Sequence, residues 1–171
     1  MPTATTFEPF SPTSASPVVS IRTAIAADVA PLTGLIADHA GVGQLMPRSA
    51  GDIRDTLATW LVAELDGTLA GCGSLRQMSR SRMEVRSLVV RADYRGHGIG
   101  AAIVRQLVAR AWNAEAECVY ALTRAVPFFA RLGFHVADLA NIPEKLAHDC
   151  VPCPLRAHCD ETAMWLHRCE E

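Results

Sequence analysis

Glu84-Val85-Arg86-Ser87-Leu88-Val89-Val90, followed after three residues by Tyr94-Arg95-Gly96-His97-Gly98-Ile99-Gly100, is the stretch that decides the fold. Its first part, Met83 to Val90, ends in a continuous apolar run and reads as a strand. From Ile99 to Trp112 the residues Ile103, Val104, Leu107, Val108 and Ala111 recur at helical spacing. Between strand and helix lies a glycine turn, which physically is an anion cradle. A helix N-terminus presents unpaired N–H groups and a partial positive charge. Glycine lets a phosphate approach them with no Cβ in the way, and Arg95 adds a charge-assisted contact. The even spacing of Gly96, Gly98 and Gly100 is not the dinucleotide fingerprint, and no lysine completes a P-loop. A glycine turn without a ligand is the plain alternative.

Upstream, Val18 to Thr23 is a β-prone run. Asp28 to His39 reads as a helix with Val29, Leu32, Leu35 and Ile36 on one side, and Asp52 to Trp60 as a second. Leu61 to Glu64 and Thr68 to Leu75 are strands joined by Asp66-Gly67, a strong hairpin signal. Downstream come a strand at Glu117 to Leu122, a short helix from Pro127 to Leu132 ended by Gly133, and a strand from Phe134 to Ala137. A loop rich in Pro and Cys fills 141–160, and a last strand runs from Thr162 to His167. The order predicts one α/β domain over 18–171, a mixed sheet with helices on both faces.

Half of the 171 residues are hydrophobic and the net charge is −2, an ordinary globular balance without the basic stripe that nucleic acid requires. No run approaches the roughly 18 apolar residues of a membrane span. Residues 1–17 are rich in Thr, Ser and Pro without the apolar middle of a secretory signal, and read as a disordered leader. A cytoplasmic location with reduced thiols is the expectation. Whether the chain forms a homodimer stays open.

The strand with its glycine turn resembles the acetyl-CoA signature of the GNAT acetyltransferases, R/Q-x-x-G-x-G/A, which Arg95, Gly98 and Gly100 fit. Phe128-Phe129 to Gly133-Phe134 resembles the family's later helix and strand, so that the likeness spans about 18–167. It implies a mostly antiparallel sheet. It implies that backbone at Leu88, Val89 and Val90 holds the pantetheine arm and polarises the thioester carbonyl. It also implies that the N–H groups of Gly96, His97, Gly98, Ile99, Gly100 and Ala101 hold the pyrophosphate. Negative charge builds on the thioester oxygen during amine attack, and a fixed N–H stabilises it.

Other segments resemble one branch, the N-acetylglutamate synthases of arginine biosynthesis: Met46-Pro47-Arg48-Ser49, Ala121-Leu122-Thr123, Ile142-Pro143-Glu144-Lys145, Asp149-Cys150, Cys153-Pro154 and Cys159-Asp160-Glu161. The likeness implies L-glutamate as the partner substrate. Its two carboxylates call for more than one cation, for which arginine's two-pronged donor is suited; Arg48, Arg76 and Lys145 hold the matching positions. It implies Glu84 as general base, acting directly or through a water, and Ser87 and Thr123 as polar partners of the leaving thiolate. Each has a surface or packing role as its alternative. Residues 84 and 87 have opposite parity on a strand, so both reach one site only if a β-bulge lies near 85–88. Another small amine as acceptor, or a CoA-binding module without turnover, are the rival readings.

Cys150, Cys153 and Cys159 offer three thiols at short spacing, with His148, His158 and Cys169 as fourth donors. Four such ligands would hold a structural zinc; three reduced cysteines in a loop are the alternative.

Overall fold

In the computed structural model, residues 19–43 and 45–168 are described. The expected leader at 1–17 and the candidate ligand Cys169 lie outside them. The strands are β1 Val19–Thr23, β2 Trp60–Leu65, β3 Thr68–Gln77, β4 Arg82–Val90, β5 Cys118–Thr123, β6 His135–Val136 and β7 Thr162–His167. They form one sheet in the order β1-β2-β3-β4-β5-β7-β6. Every pairing is antiparallel except β4 with β5, which is parallel and only three residues long, from Arg82↔Cys118 to Glu84↔Tyr120. The β2–β3 hairpin turns on Asp66 (φ 50°) and Gly67 (φ 77°), both left-handed as its two-residue loop demands.

Helix α3, Ile99–Asn113, buries Ile99, Ile103, Val104, Leu107 and Ala111 on one face of the sheet. Helices α1, Val29–Gly41, and α2, Ala50–Asp55, cover the other with Leu32, Ile36 and Ile53 against Val62, Cys72 and Val89. Helix α4, Val126–Ala130, packs Phe129 on the α3 side. The expected loop at 141–160 is instead, with the residues just before it, a chain of single turns: a 3-10 turn at Leu139–Asn141, helix α5 at Pro143–Lys145, a π turn at Leu146–Cys150 and a 3-10 turn at Arg156–His158. Pro143 starts α5 where its missing N–H costs nothing, and buried Ile142 pins the segment beside Tyr120 and Ala163.

The second helix is shorter than its expected span of Asp52 to Trp60. Ser49 and Asp52 form a reciprocal cap, each side chain accepting from the other's backbone N–H at 3.1 and 3.0 Å, which starts the helix at Ala50. Thr56 leaves helical geometry, and Trp60, almost fully buried, opens β2 instead. Among the described residues no helix is long and apolar enough to cross a membrane.

The expected bulge is present. Cys72 pairs with Val89 but Ser74 pairs with Arg86, so Ser87 and Leu88 together oppose Gly73, and Ser87 sits at φ 50°. Parity flips there: Met83 and Val85, then Leu88 and Val90, all reach the core under α3. Gly73 faces that helix so closely that a Cβ would stand 2.9 Å from Ile103 Cγ2.

Candidate active site

Because β4 and β5 pair over three residues and then part, the β5-facing edge of β4 beyond Glu84 has no strand partner among the described residues. A cleft of about 890 Å³ opens between them. At one end lies the glycine turn. Gly96 (φ 82°) and Gly98 (φ 76°) are left-handed with open space where a Cβ would be, and Gly98 caps α3 with no side-chain acceptor. The first turn of α3 carries no acidic residue. Gly100 serves packing instead. A Cβ there would meet Val90 and Phe128 at 3.4 and 3.5 Å, ordinary contact distances, so this position packs against β4 and α4. Arg105 and Arg131 line the cleft as well, and Arg95 both lines it and donates from Nε to the Val90 carbonyl at 3.1 Å. Backbone N–H groups, a helix terminus and three guanidinium groups are the donors a pyrophosphate needs.

The other end is built from charged side chains. Glu84, 2% exposed, stands 2.6 Å from Lys145 Nζ and 2.7 Å from Arg86 Nε. The Arg86 contact is Coulombic, since Glu84 Oε2 receives no hydrogen bond. Asp149 accepts from Arg86 Nη2, from Lys145 Nζ at 3.0 Å and from Arg76 Nη1 at 3.3 Å. Burial pushes the Asp149 carboxyl up, but Lys145, Arg86 and Arg76 outweigh it and hold the group below its ordinary value. Arg48 lines the cleft half-buried, with no carboxylate partner among the described residues. Its own pKa is drawn down by burial and by Arg86. Glu161 also lines the cleft, 3.4 Å from Arg124, and burial raises its carboxyl.

The profile of the acetyltransferase (GNAT) family matches residues 38–134. The chain belongs to the GNAT acetyltransferase family. It is an acetyl-CoA-dependent acyltransferase. An uncharacterized N-acetyltransferase of Chlorobaculum tepidum is 31% identical over 144 residues, 84% of this chain and 93% of that one. The amino-acid acetyltransferase of Mycobacterium tuberculosis is 34% identical over 126 residues, 72% of this chain and 71% of its own. A Mycobacterium tuberculosis protein solved in complex with CoA superposes with a TM-score of 0.76 at 25% identity, covering 88% of this chain and 99% of that one. The fold is shared with an N-acetylglutamate synthase from Neisseria gonorrhoeae solved with coenzyme A and N-acetyl-glutamate, at TM-score 0.79 and 24% identity, over 88% of this chain and 36% of the other.

On this GNAT scaffold Leu88, Val89, Val90, Arg95, Gly96, Gly98, Ile99, Gly100 and Ala101 all line the cleft. His97 does not; its Nδ1 lies against the carbonyls of Tyr94 and Arg95. Glu84, Ser87, Thr123, Arg48 and Lys145 meet in the same cleft, the bulge having brought Glu84 and Ser87 together. Thr123 Oγ1 accepts from Ala125 N at 2.9 Å and keeps its O–H to donate. Arg76 stands outside the cleft lining, held by Asp149. Sequence reasoning missed Arg86, Asp149, Glu161, Arg105 and Arg131 as site residues. The parity of 84 and 86, and the four-residue step from Lys145 to Asp149, were the available signals.

The zinc expectation is not supported. Among the described residues no three His, Cys, Asp or Glu side chains stand together as a metal would need. Cys150 closes the π turn, Cys153 follows in the next turn, and Cys159 is exposed beyond Arg156–His158. Burial pushes the Cys150 thiol up.

Proposed function

We propose that this GNAT enzyme acetylates the α-amine of L-glutamate, the reaction that would serve arginine biosynthesis. Arg48 carries the reading: a half-buried guanidinium in the cleft, beside the Glu84–Arg86–Lys145 cluster and without a carboxylate of its own among the described residues. A desolvated, unpaired cation is costly unless a ligand anion completes it. The amino-acid acetyltransferase of Mycobacterium tuberculosis and the N-acetyl-glutamate bound in the Neisseria gonorrhoeae structure support the same acceptor class.

Acetyl-CoA supplies the activated acetyl group when bound. The chain's own residues do the rest. Glycine-turn N–H groups with Arg95, Arg105 and Arg131 hold the phosphates, and the free edge of β4 orients the arm. Arg48 holds an acceptor carboxylate. Glu84 takes a proton from the ammonium, which frees the lone pair for attack. As the N–C bond forms the C–S bond breaks; the thiolate leaves with the second amine proton, steadied by hydrogen bonds from Ser87 and Thr123. Release of CoA thiol in the presence of L-glutamate, aspartate, glutamine and polyamines tests this, and glutamate should be turned over fastest. A second reading is favoured by Asp149: it already engages Arg76, Arg86 and Lys145, leaving Arg48 as the acceptor-end cation with no carboxylate partner among the described residues, which suits an amino acid with a single carboxylate. Glutamine outrunning glutamate would decide for that reading.

A further inference from the structure

Two buried side-chain atoms go without a hydrogen bond among the described residues, Glu84 Oε2 and the Tyr120 hydroxyl. They belong to neighbouring residues. Glu84 and Tyr120 are register partners in the short parallel pairing of β4 with β5, and paired residues share a face of the sheet. Tyr120 is 0% exposed, with its ring among Ile142, Ala163 and Trp165. Burying a phenol with nothing to donate to is costly, and native interiors rarely hold such a group without a purpose. Its neighbours are unusually charged: Glu84, Glu144, Arg86 and Asp149 all act on it. Burial first, and then the two glutamates, keep the phenol protonated, so that it is a donor.

We propose that Tyr120 is a positioning residue for Glu84, its hydroxyl donating to Glu84 Oε2 across one bridging water. Arg86 and Lys145 each offer Glu84 a charge, and neither satisfies Oε2 with a hydrogen bond. The phenol would fix the carboxylate's orientation, which is what a base must hold to meet the ammonium proton. The inference rests on Glu84 acting as the base.

Two measurements test it, using Tyr120→Phe, Glu84→Gln and the double variant in the full chain. The first is kinetic, with acetyl-CoA and L-glutamate. Tyr120→Phe should lower kcat about five- to tenfold with both KM values unchanged, and should have no further effect when Glu84 is already Gln. The second is a urea unfolding cycle, which needs no acceptor. A hydrogen bond to a carboxylate is about twice as strong as one to an amide, so Tyr120→Phe should lower the unfolding midpoint more with Glu84 present than with Gln. An additive cycle, or a midpoint that rises equally in both backgrounds, shows a phenol with no tie to Glu84 and overturns the proposal. So does an unchanged kcat in Tyr120→Phe. If instead Glu84→Gln turns over at the wild-type rate, the base assignment falls and this role falls with it, whereas a normal loss in Glu84→Gln beside a silent Tyr120→Phe overturns the Tyr120 role alone.

Discussion

The two ends of the cleft are made of different material. The phosphate end is largely backbone: Gly96 and Gly98 turned left-handed, and the uncapped first turn of α3. The acceptor end is side chain: Glu84 and Arg86 on β4, Lys145 on α5 and Asp149 on the π turn, tied by ion pairs of 2.6 to 3.0 Å and the close Arg86–Asp149 contact. A backbone cradle comes from one contiguous segment and tolerates many side chains. A charge cluster comes from distant segments, and each member depends on the others. Substitutions at the acceptor end should therefore cost more, and cost it in the chemistry.

The sharpest break is Glu84→Gln, which keeps shape and removes the proton acceptor. Turnover should fall roughly 10²- to 10⁴-fold with the KM for acetyl-CoA unchanged, as CoA release would measure. Lys145→Met comes next. Lys145 is 7% exposed and neutralises both Glu84 and Asp149. Removing one member of a buried ionic group leaves the others uncompensated, at about 3–5 kcal/mol, readable in urea unfolding. Arg95→Met, at the exposed phosphate end, should cost less than about 1 kcal/mol by the same measurement. Equal losses would show that the two ends do not differ as described.

Arg48→Ala sharpens the comparison by substrate. The KM for the acceptor should rise about 10- to 100-fold, the worth of a charged hydrogen-bonded contact, while that for acetyl-CoA stays constant. Gly98→Ala is the mirror experiment. No protein atom crowds the new Cβ, so the cost to folding is the left-handed φ alone, about 1 kcal/mol. The KM for acetyl-CoA should rise less than tenfold and that for the acceptor should not move.

The same contrast governs what the sequence could reveal. The glycine turn, the helix after it and the Asp66-Gly67 hairpin are local, so spacing and residue type sufficed. The bulge at Ser87 was legible because Glu84 and Ser87 could not otherwise share a site. Arg48 and Lys145 were put forward by likeness alone, and Asp149 entered the same likeness with no role attached to it. Its role depends on a π turn that no periodicity announces, inside a segment that reads as loop. Arg76 looked equivalent to Arg48 in sequence, and Asp149, by holding it outside the cleft, separates them. The cysteines erred the other way: spacing suggested a metal, but ligation depends on convergence in space, which the turns around Cys150, Cys153 and Cys159 do not provide.

The smallest effect is one of pH dependence, and it sets two acceptor-end carboxylates against each other. Asp149 is held below its ordinary 3.8, burial being outweighed by Lys145, Arg86 and Arg76, and Glu161 is pushed above its ordinary 4.5 by burial. Linkage gives them opposite signs. A lowered carboxyl contributes stability that is complete above its unfolded value and is lost as pH falls through the folded one. A raised carboxyl contributes stability that is complete below its unfolded value and is lost as pH rises through the folded one. Asp149→Asn should therefore flatten the loss of stability on acidification below about pH 4, besides lowering stability at neutral pH by stranding three cations. Glu161→Gln should do the reverse, raising stability at neutral pH and changing little in acid. Urea midpoints between pH 3 and 7 would read both curves. Parallel curves for the two variants would mean that Asp149 is not held by its cations, and the acceptor end would then be no more interdependent than the glycine turn.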